Sequence, residues 1–220
     1  MTDLNNRRPI KARGSGWAKR FAAALAKARV QPNLISATSV AFAVLGGALL
    51  AVSAFMPDWV RPVAMIVAAA CIQGRLLCNL LDGMVAVEHG EGSKTGPIWN
   101  ELPDRFADLM FLVGAGYSAY GFNRNLGPDL GWLAGSLAIL TAYVRELGRG
   151  MGFPADFGGP MAKPQRMAAL TIVCVIAAFE PLWGGHGLVM VAGLIAIVIG
   201  TALTVTGRVS RLARALAARP

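Results

Sequence analysis

Two stretches of the chain place chemistry-bearing side chains among apolar ones. The first holds Arg75, Asn79 and Asp82, followed by Gly83 and Ala86. Spacings of four and three residues put all of these on one face of a helix. The second holds Gly96, Asn100, Asp104 and Asp108, each four residues from the next, again one slowly drifting face. A short connection between two such helices would let the polar faces meet. Oxygen donors gathered from two helices suit a hard divalent cation such as magnesium. Glycine on the same faces lets a ligand come close to the backbone. The pattern also describes a polar seam, with Asn and Asp hydrogen-bonding between helices. Arg75 fits both readings, as a partner of Asp82 or as a phosphate binder.

The elements that must position these faces read as membrane spans. Of 220 residues, 55% are hydrophobic and 15% charged, against about 25% charged in a typical domain. A spanning helix needs about 20 mostly apolar residues. An uncharged run extends from Asn33 to Phe55 and is closed by Pro57 and Asp58. A second opens after Arg61 and carries Arg75 and Asp82. A third covers Leu109 to Phe122 and can reach back to Gly96. A fourth begins near Leu130 and ends at Arg145. A fifth starts after Arg166 and reaches Glu180, and a sixth covers Gly187 to Val205. The predicted fold class is all-α, an integral membrane protein of six transmembrane helices. Gly127 to Gly131 and Pro181 to Gly187 read as turns between spans. No internal repeat is visible. The Arg7, Arg8, Lys11 and Arg13 cluster is followed by a mixed segment rather than the apolar core of a signal peptide.

The net charge of +9 follows from topology. With both termini in the cytoplasm, the inner side holds the basic residues before the first span, Lys94, the set Arg145, Arg149, Lys163 and Arg166, and Arg208, Arg211, Arg214 and Arg219. Only Arg61 and Arg124 fall outside, while Arg75 and Arg105 lie within spans. That asymmetry is the positive-inside pattern, and it accounts for the charge without a nucleic-acid partner. Residues 1–31 form a basic cytoplasmic segment. Within it Trp17, Phe21 and Leu25 recur every four residues and predict an amphipathic helix on the anionic leaflet. Residues 32–207 form the membrane domain and 208–220 a basic cytoplasmic tail. Cys71, Cys78 and Cys174 are odd in number and lie in apolar stretches, so neither a disulfide framework nor a zinc site is expected. His89 and His186 fall on opposite sides of the membrane in this topology and read as surface residues.

The pattern Asn79-x2-Asp82-Gly83-x2-Ala86-Val87-x8-Gly96-x3-Asn100-x3-Asp104 resembles the signature of the CDP-alcohol phosphatidyltransferases, D-x2-D-G-x2-A-R-x8-G-x3-D-x3-D. Every spacing fits. Five of the eight positions are identical, counting Asp82, Gly83, Ala86, Gly96 and Asp104. Gln31-Pro32-Asn33 at the start of the first span and the six-span layout extend the likeness over most of the chain. The resemblance implies an enzyme of phospholipid synthesis in a bacterial inner membrane. An acceptor hydroxyl attacks the β-phosphate of a CDP-linked donor, usually CDP-diacylglycerol, and CMP leaves. It further implies Mg2+ or Mn2+, one or two ions, a cytoplasmic active site and a homodimer.

Carried over by position, the resemblance makes Asn79, Asp82, Asn100 and Asp104 metal ligands, Asp104 also the general base, and Asp82, Gly83, Ala86 and Gly96 the lining of the nucleotide. Asn79, Asn100 and Val87 stand where the signature has Asp, Asp and Arg. The matched positions therefore supply two negative charges instead of four, and a neutral Asn carbonyl holds a cation more weakly than a carboxylate. Asp108 or Glu101 could assist a single metal, or Arg75 could stand in for a metal's charge on the diphosphate. A catalytically silent relative that binds lipid or nucleotide is the alternative. In the resemblance, basic residues between the fourth and fifth spans bind phosphate. This nominates Arg145 and Lys163, Arg being suited to bidentate phosphate recognition. The Gly- and Pro-rich stretch from Phe153 to Pro164 reads as a loop that could close over substrate.

Overall fold

The computed structural model describes residues 11–88 and 95–219. Lys94 and His89 lie outside the described residues, as does the cluster Arg7 and Arg8. Among the described residues seven α-helices follow one another: α1 (Gly16–Lys27), α2 (Pro32–Ser53), α3 (Arg61–Glu88), α4 (Gly96–Ser118), α5 (Leu126–Gly150), α6 (Lys163–Phe179) and α7 (Leu188–Ala217). The described residues include no strand. α2 and the region from α6 through the turn after it, together with α3 and α7, are long and apolar enough to cross a membrane. α4 and α5 carry more charge, gathered toward the N-terminal half of α4 and the C-terminal half of α5.

Helices α2 to α7 close a ring in which α2 packs on α3 and α4, α4 on α5, α5 on α7, α7 on α6, and α6 on α3. α3 and α4 are consecutive in sequence, yet α2 stands between them and they touch each other at few points. The core runs through the middle of the ring, with Met65, Ile72, Phe111, Leu112, Leu170 and Leu194 fully buried. Bundles in lipid gain little from the hydrophobic effect between helices, so small residues that admit close backbone approach carry the packing. A Cβ on Gly47 would lie 2.7 Å from the Met110 carbonyl oxygen, and one on Gly116 would lie 2.6 Å from the Gly127 oxygen and 2.9 Å from Gly131 Cα.

The segment from Gly127 to Gly131, expected as a turn, is helical and opens α5. Its glycines serve the contact with Gly116 rather than chain reversal. The reversal sits just before them, where Asn123 Oδ1 accepts the N–H groups of Asn125 and Leu126, both at 3.0 Å. The turn expected at Pro181 to Gly187 is present. A single 3-10 turn (Glu180–Trp183) is followed by Gly184 and Gly187 in the left-handed region, at φ 75° and 108°. Glu180 is completely buried there. Its carboxylate accepts the N–H groups of Gly187 (2.9 Å) and Val189 (3.1 Å), satisfying free donors at the start of α7.

α1 divides the apolar line expected from its sequence. Ala18 and Ala22 are buried with Leu81, Met84 and Val85 of α3, and Leu25 packs at the edge of that group. Trp17 and Phe21 remain about half exposed, on the free side of the helix.

Candidate active site

Most of the polar residues singled out by spacing converge at one end of the ring. That end holds the C-terminal half of α3, the N-terminal halves of α4 and α6, and the C-terminal part of α5. Arg75 is completely buried and bridges from α3 to α4. Its Nη2 donates to Asp104 Oδ1 at 3.0 Å, to the Asp104 carbonyl oxygen at 3.0 Å and to Asp108 Oδ1 at 2.9 Å. Asn79 Nδ2 donates to the same Asp104 Oδ1. Lys163, the first residue of α6, donates to Asp104 Oδ2. Arg166 Nη2, one turn further along α6, donates to Asp108 Oδ2 at 2.6 Å. Asp108 and Arg166 are 2% and 1% exposed, so this pair is sealed, whereas Asp104 is 17% exposed.

Arg75 thus pairs with Asp104 and Asp108. The Asp82 pairing considered from the sequence is replaced, because Asp82 is engaged from α2: Ser36 Oγ donates to its Oδ2 at 2.7 Å. Asp82 Oδ1 is buried and, among the described residues, has no hydrogen-bond partner. The same is true of Nε and Nη1 of Arg75. Asp82 lies within electrostatic reach of Asp104 and Lys163. Gly83 and Ala86 are half-buried on the same stretch of α3, and Gly96 is half-buried at the start of α4. Asn100 lies on α4 one turn before Asp104. Pro103, inside α4, lacks an N–H, so the Trp99 carbonyl has no helical donor four residues on.

Arg145 and Glu101 form a second group beside the first. Arg145 Nη2 donates to Glu101 Oε2 at 2.5 Å and its Nε to Glu146 Oε1 at 2.8 Å, while its guanidinium sits 5.4 Å from the Phe157 ring centroid. Arg105 also donates to Glu101. Glu101 is therefore committed to arginines, as Asp108 is. The connection between α5 and α6, residues 151–162, crosses this end. Arg208 of α7 ties it down, donating to the Gly158 carbonyl at 2.9 Å and to the Thr141 carbonyl at 2.7 Å. Arg211 Nε donates to Asp156 Oδ2 at 2.8 Å. Partial burial alone would raise the Asp156 carboxyl. The bonds from Arg211 and the Gly158 amide outweigh that and hold it below the ordinary range.

The residues present do not fit a pair of divalent ions. Hard cations of this kind take six or more oxygens, carboxylates foremost. Here the matched positions hold two carboxylates. Both oxygens of Asp104 already accept from Asn79, Arg75 and Lys163. Among the described residues no three His, Cys, Asp or Glu side chains gather in metal-binding geometry. The arrangement offers instead the cationic donors of Arg75 and Lys163. That combination suits an anionic headgroup. A separate apolar recess of about 550 Å3 lies at the other end of the ring, lined by Trp59, Val63, Ile66 and Leu182 among others, and holds no such chemistry.

Two participants escaped the sequence reading. Ser36 sits in the first span, where it reads as one of several small residues; only its serine neighbours mark that face as polar. Arg166 read as part of an inner loop, and its partnership with Asp108 joins residues 58 apart in sequence. His186 is exposed as expected, 3.8 Å from Asp58.

No family model matches the chain. The inner membrane protein YnbA of Escherichia coli (strain K12) is 26% identical over 159 residues, 72% of this chain and 74% of that one. Among solved structures, the phosphatidylinositol phosphate synthase PgsA1 of Mycobacterium tuberculosis with CDP-DAG bound superposes with a TM-score of 0.74. It is 16% identical and covers 90% of this chain and 94% of that one. The same enzyme in complex with manganese and citrate gives 0.72 at 17% identity, over 89% and 88% of the two chains. This chain therefore has the helical fold on which that synthase is built.

Proposed function

We propose that the protein is a membrane phosphotransferase that moves a phosphatidyl group from CDP-diacylglycerol to an alcohol acceptor, releasing CMP, in phospholipid synthesis. The observation that carries this reading is the meeting of Asp82, Asp104, Arg75 and Lys163 beside Gly83, Ala86 and Gly96. Asp82, Gly83, Ala86, Gly96 and Asp104 follow the signature's spacing, on a fold whose solved counterpart was captured with CDP-DAG. The small residues would border the cytidine. The acceptor's hydroxyl oxygen would form a bond to the lipid-bearing phosphorus as the bond from that phosphorus to the bridging oxygen breaks. The electron pair would leave with CMP, and Asp104 would accept the hydroxyl proton. Six spans, α2 to α7, would place both termini and this site on the cytoplasmic side. The charges that distinguish α4 and α5 would then lie near the inner surface, where ionisable groups are tolerated. A homodimer is part of the reading.

The engagement of Asp104 by Lys163, Arg75 and Asn79 favours a second reading, a silent relative that binds lipid or nucleotide without turning it over. Release of CMP from CDP-diacylglycerol by the purified protein separates the two. The assay uses a panel of glycerol phosphate, inositol phosphate, serine and a lipid alcohol, beside Asp104→Asn. Acceptor-dependent release that the variant abolishes supports the transferase. No release with any acceptor, while nucleotide still binds, supports the silent relative.

A further inference from the structure

The signature's four carboxylates would carry four negative charges, the charge that two divalent ions neutralise. In this chain Asn79 and Asn100 remove two of them. What remains, Asp82 and Asp104, faces two resident cations: Lys163 bonds Asp104 directly, and Arg75 bonds Asp104 at 3.0 Å. Asp108 and Arg166 balance each other behind them. The site is thus neutral with no added ion. The two losses and the two cations match in number, and both cations bond Asp104.

From this balance we infer that the Arg75 guanidinium and the Lys163 ammonium take the role of the divalent ions, so that the site binds a nucleoside diphosphate without metal. The inference deepens the function proposed above and rests on it. Arg75 is buried with Nε and Nη1 lacking partners among the described residues, and buried donors of this kind are stable only when something accepts from them. Phosphate oxygens do so in a planar, bidentate way. Lys163 supplies a point charge at the start of α6. In the resting molecule the Asp104 carboxylate holds the place of the diphosphate. A bound diphosphate draws Lys163 and Arg75 onto itself and leaves Asp104 free as a proton acceptor. The four cation contacts on Asp104 and Asp108 then have a use: they keep the site charge-balanced until the donor arrives.

The test is calorimetric titration of the full chain, purified in detergent, with CDP in EDTA and again in excess Mn2+. It is paired with a titration of Mn2+ alone followed by electron paramagnetic resonance. We expect CDP to bind in EDTA with an affinity within about twofold of that in Mn2+, and Mn2+ alone to remain free. Lys163→Ala should weaken CDP binding in EDTA by roughly tenfold or more, the worth of a charge-assisted hydrogen bond. If that variant does not fold, the comparison on the native chain decides the matter by itself. In the double variant Lys163→Ala/Asn79→Asp, Mn2+ should become bound and restore CDP affinity. Loss of CDP binding in EDTA with recovery in Mn2+ would overturn the inference and leave the proposed function standing. Absence of CDP binding in both conditions would overturn the function and the inference together.

Discussion

Helix α4 meets its neighbours in two different ways along its length. Near its start, Asp104 and Asp108 reach charged partners on α3 and α6 through long side chains. Toward its end, Gly114 and Gly116 bring the backbone against Gly47 of α2 and against Gly127 and Gly131 of α5. The first region keeps helices apart and spans the gap with polar groups. The second removes side chains altogether. The glycine contacts anchor α4 on α2 and α5, and the charged groups tie its start to α3 and α6.

The largest effect should come from the charged end. Asp108→Ala leaves Arg75 and Arg166 buried with less compensation, and the loss of one partner of a buried pair costs about 3–5 kcal/mol. Thermal unfolding in detergent should show it as a large fall in Tm; an unchanged Tm would mean that the cluster contributes nothing to holding α3, α4 and α6 together. The glycine end should follow. Gly116→Ala places its Cβ against the backbone of α5, and overpacking of this kind costs about 1–3 kcal/mol. The same substitution at Gly150, where a Cβ meets nothing within 4 Å, should be neutral or stabilise by up to about 1 kcal/mol through helix propensity. Equal responses at the two glycines would break the contrast between packed and open backbone.

Ser36→Ala removes the side-chain donor to Asp82 Oδ2 and leaves a buried carboxylate with the Gly83 amide as its remaining described donor. It should cost about 1–3 kcal/mol. It should also alter CDP affinity, because Asp82 lies beside the proposed nucleotide; a change in stability with no change in affinity would place Asp82 outside the site. The smallest effect concerns the connection at residues 151–162. Because the folded Asp156 carboxyl sits below its ordinary range, its contribution is complete above the unfolded value, about 3.9. It is lost as pH falls through the lower folded value. Pepsin cleavage within 151–162 should therefore increase below about pH 4. Arg211→Gln should abolish this step at a cost of under about 1 kcal/mol, as for exposed ion pairs generally. Cleavage that does not change across that range would show the tie to α7 to rest on Arg208 alone.

Much of the helical layout could be read from the chain. Apolar runs bounded by Pro, Asp and Arg locate α2, α3 and α6 and the start of α7, because a charge at membrane depth is costly and must therefore mark an end or a site. Failure came at Gly127 and Gly131. A glycine pair reads as a turn locally, while in a lipid bundle it equally marks close helix contact. The candidate site divides in the same way. The polar faces of α3 and α4 were legible because helical periodicity is a local property. The partners Ser36, Lys163 and Arg166 come from other helices, and nothing in the spacing of α3 and α4 points to them.

The sequence by itself determined the number and order of the long helices, the alignment of Asn79, Asp82, Asn100 and Asp104 with a known spacing, and the loss of two carboxylates from it. Periodicity and composition suffice for these because each depends on neighbours in the chain. Only the tertiary structure decided which cations meet the carboxylates that remain. The order of packing around the ring sets α2 between α3 and α4 and brings the start of α6 to their open end, so that Lys163 and Arg75 converge on one carboxylate. Electrostatic balance in a low-dielectric site depends on distance in space, and that distance is a property of the closed ring rather than of any segment in it.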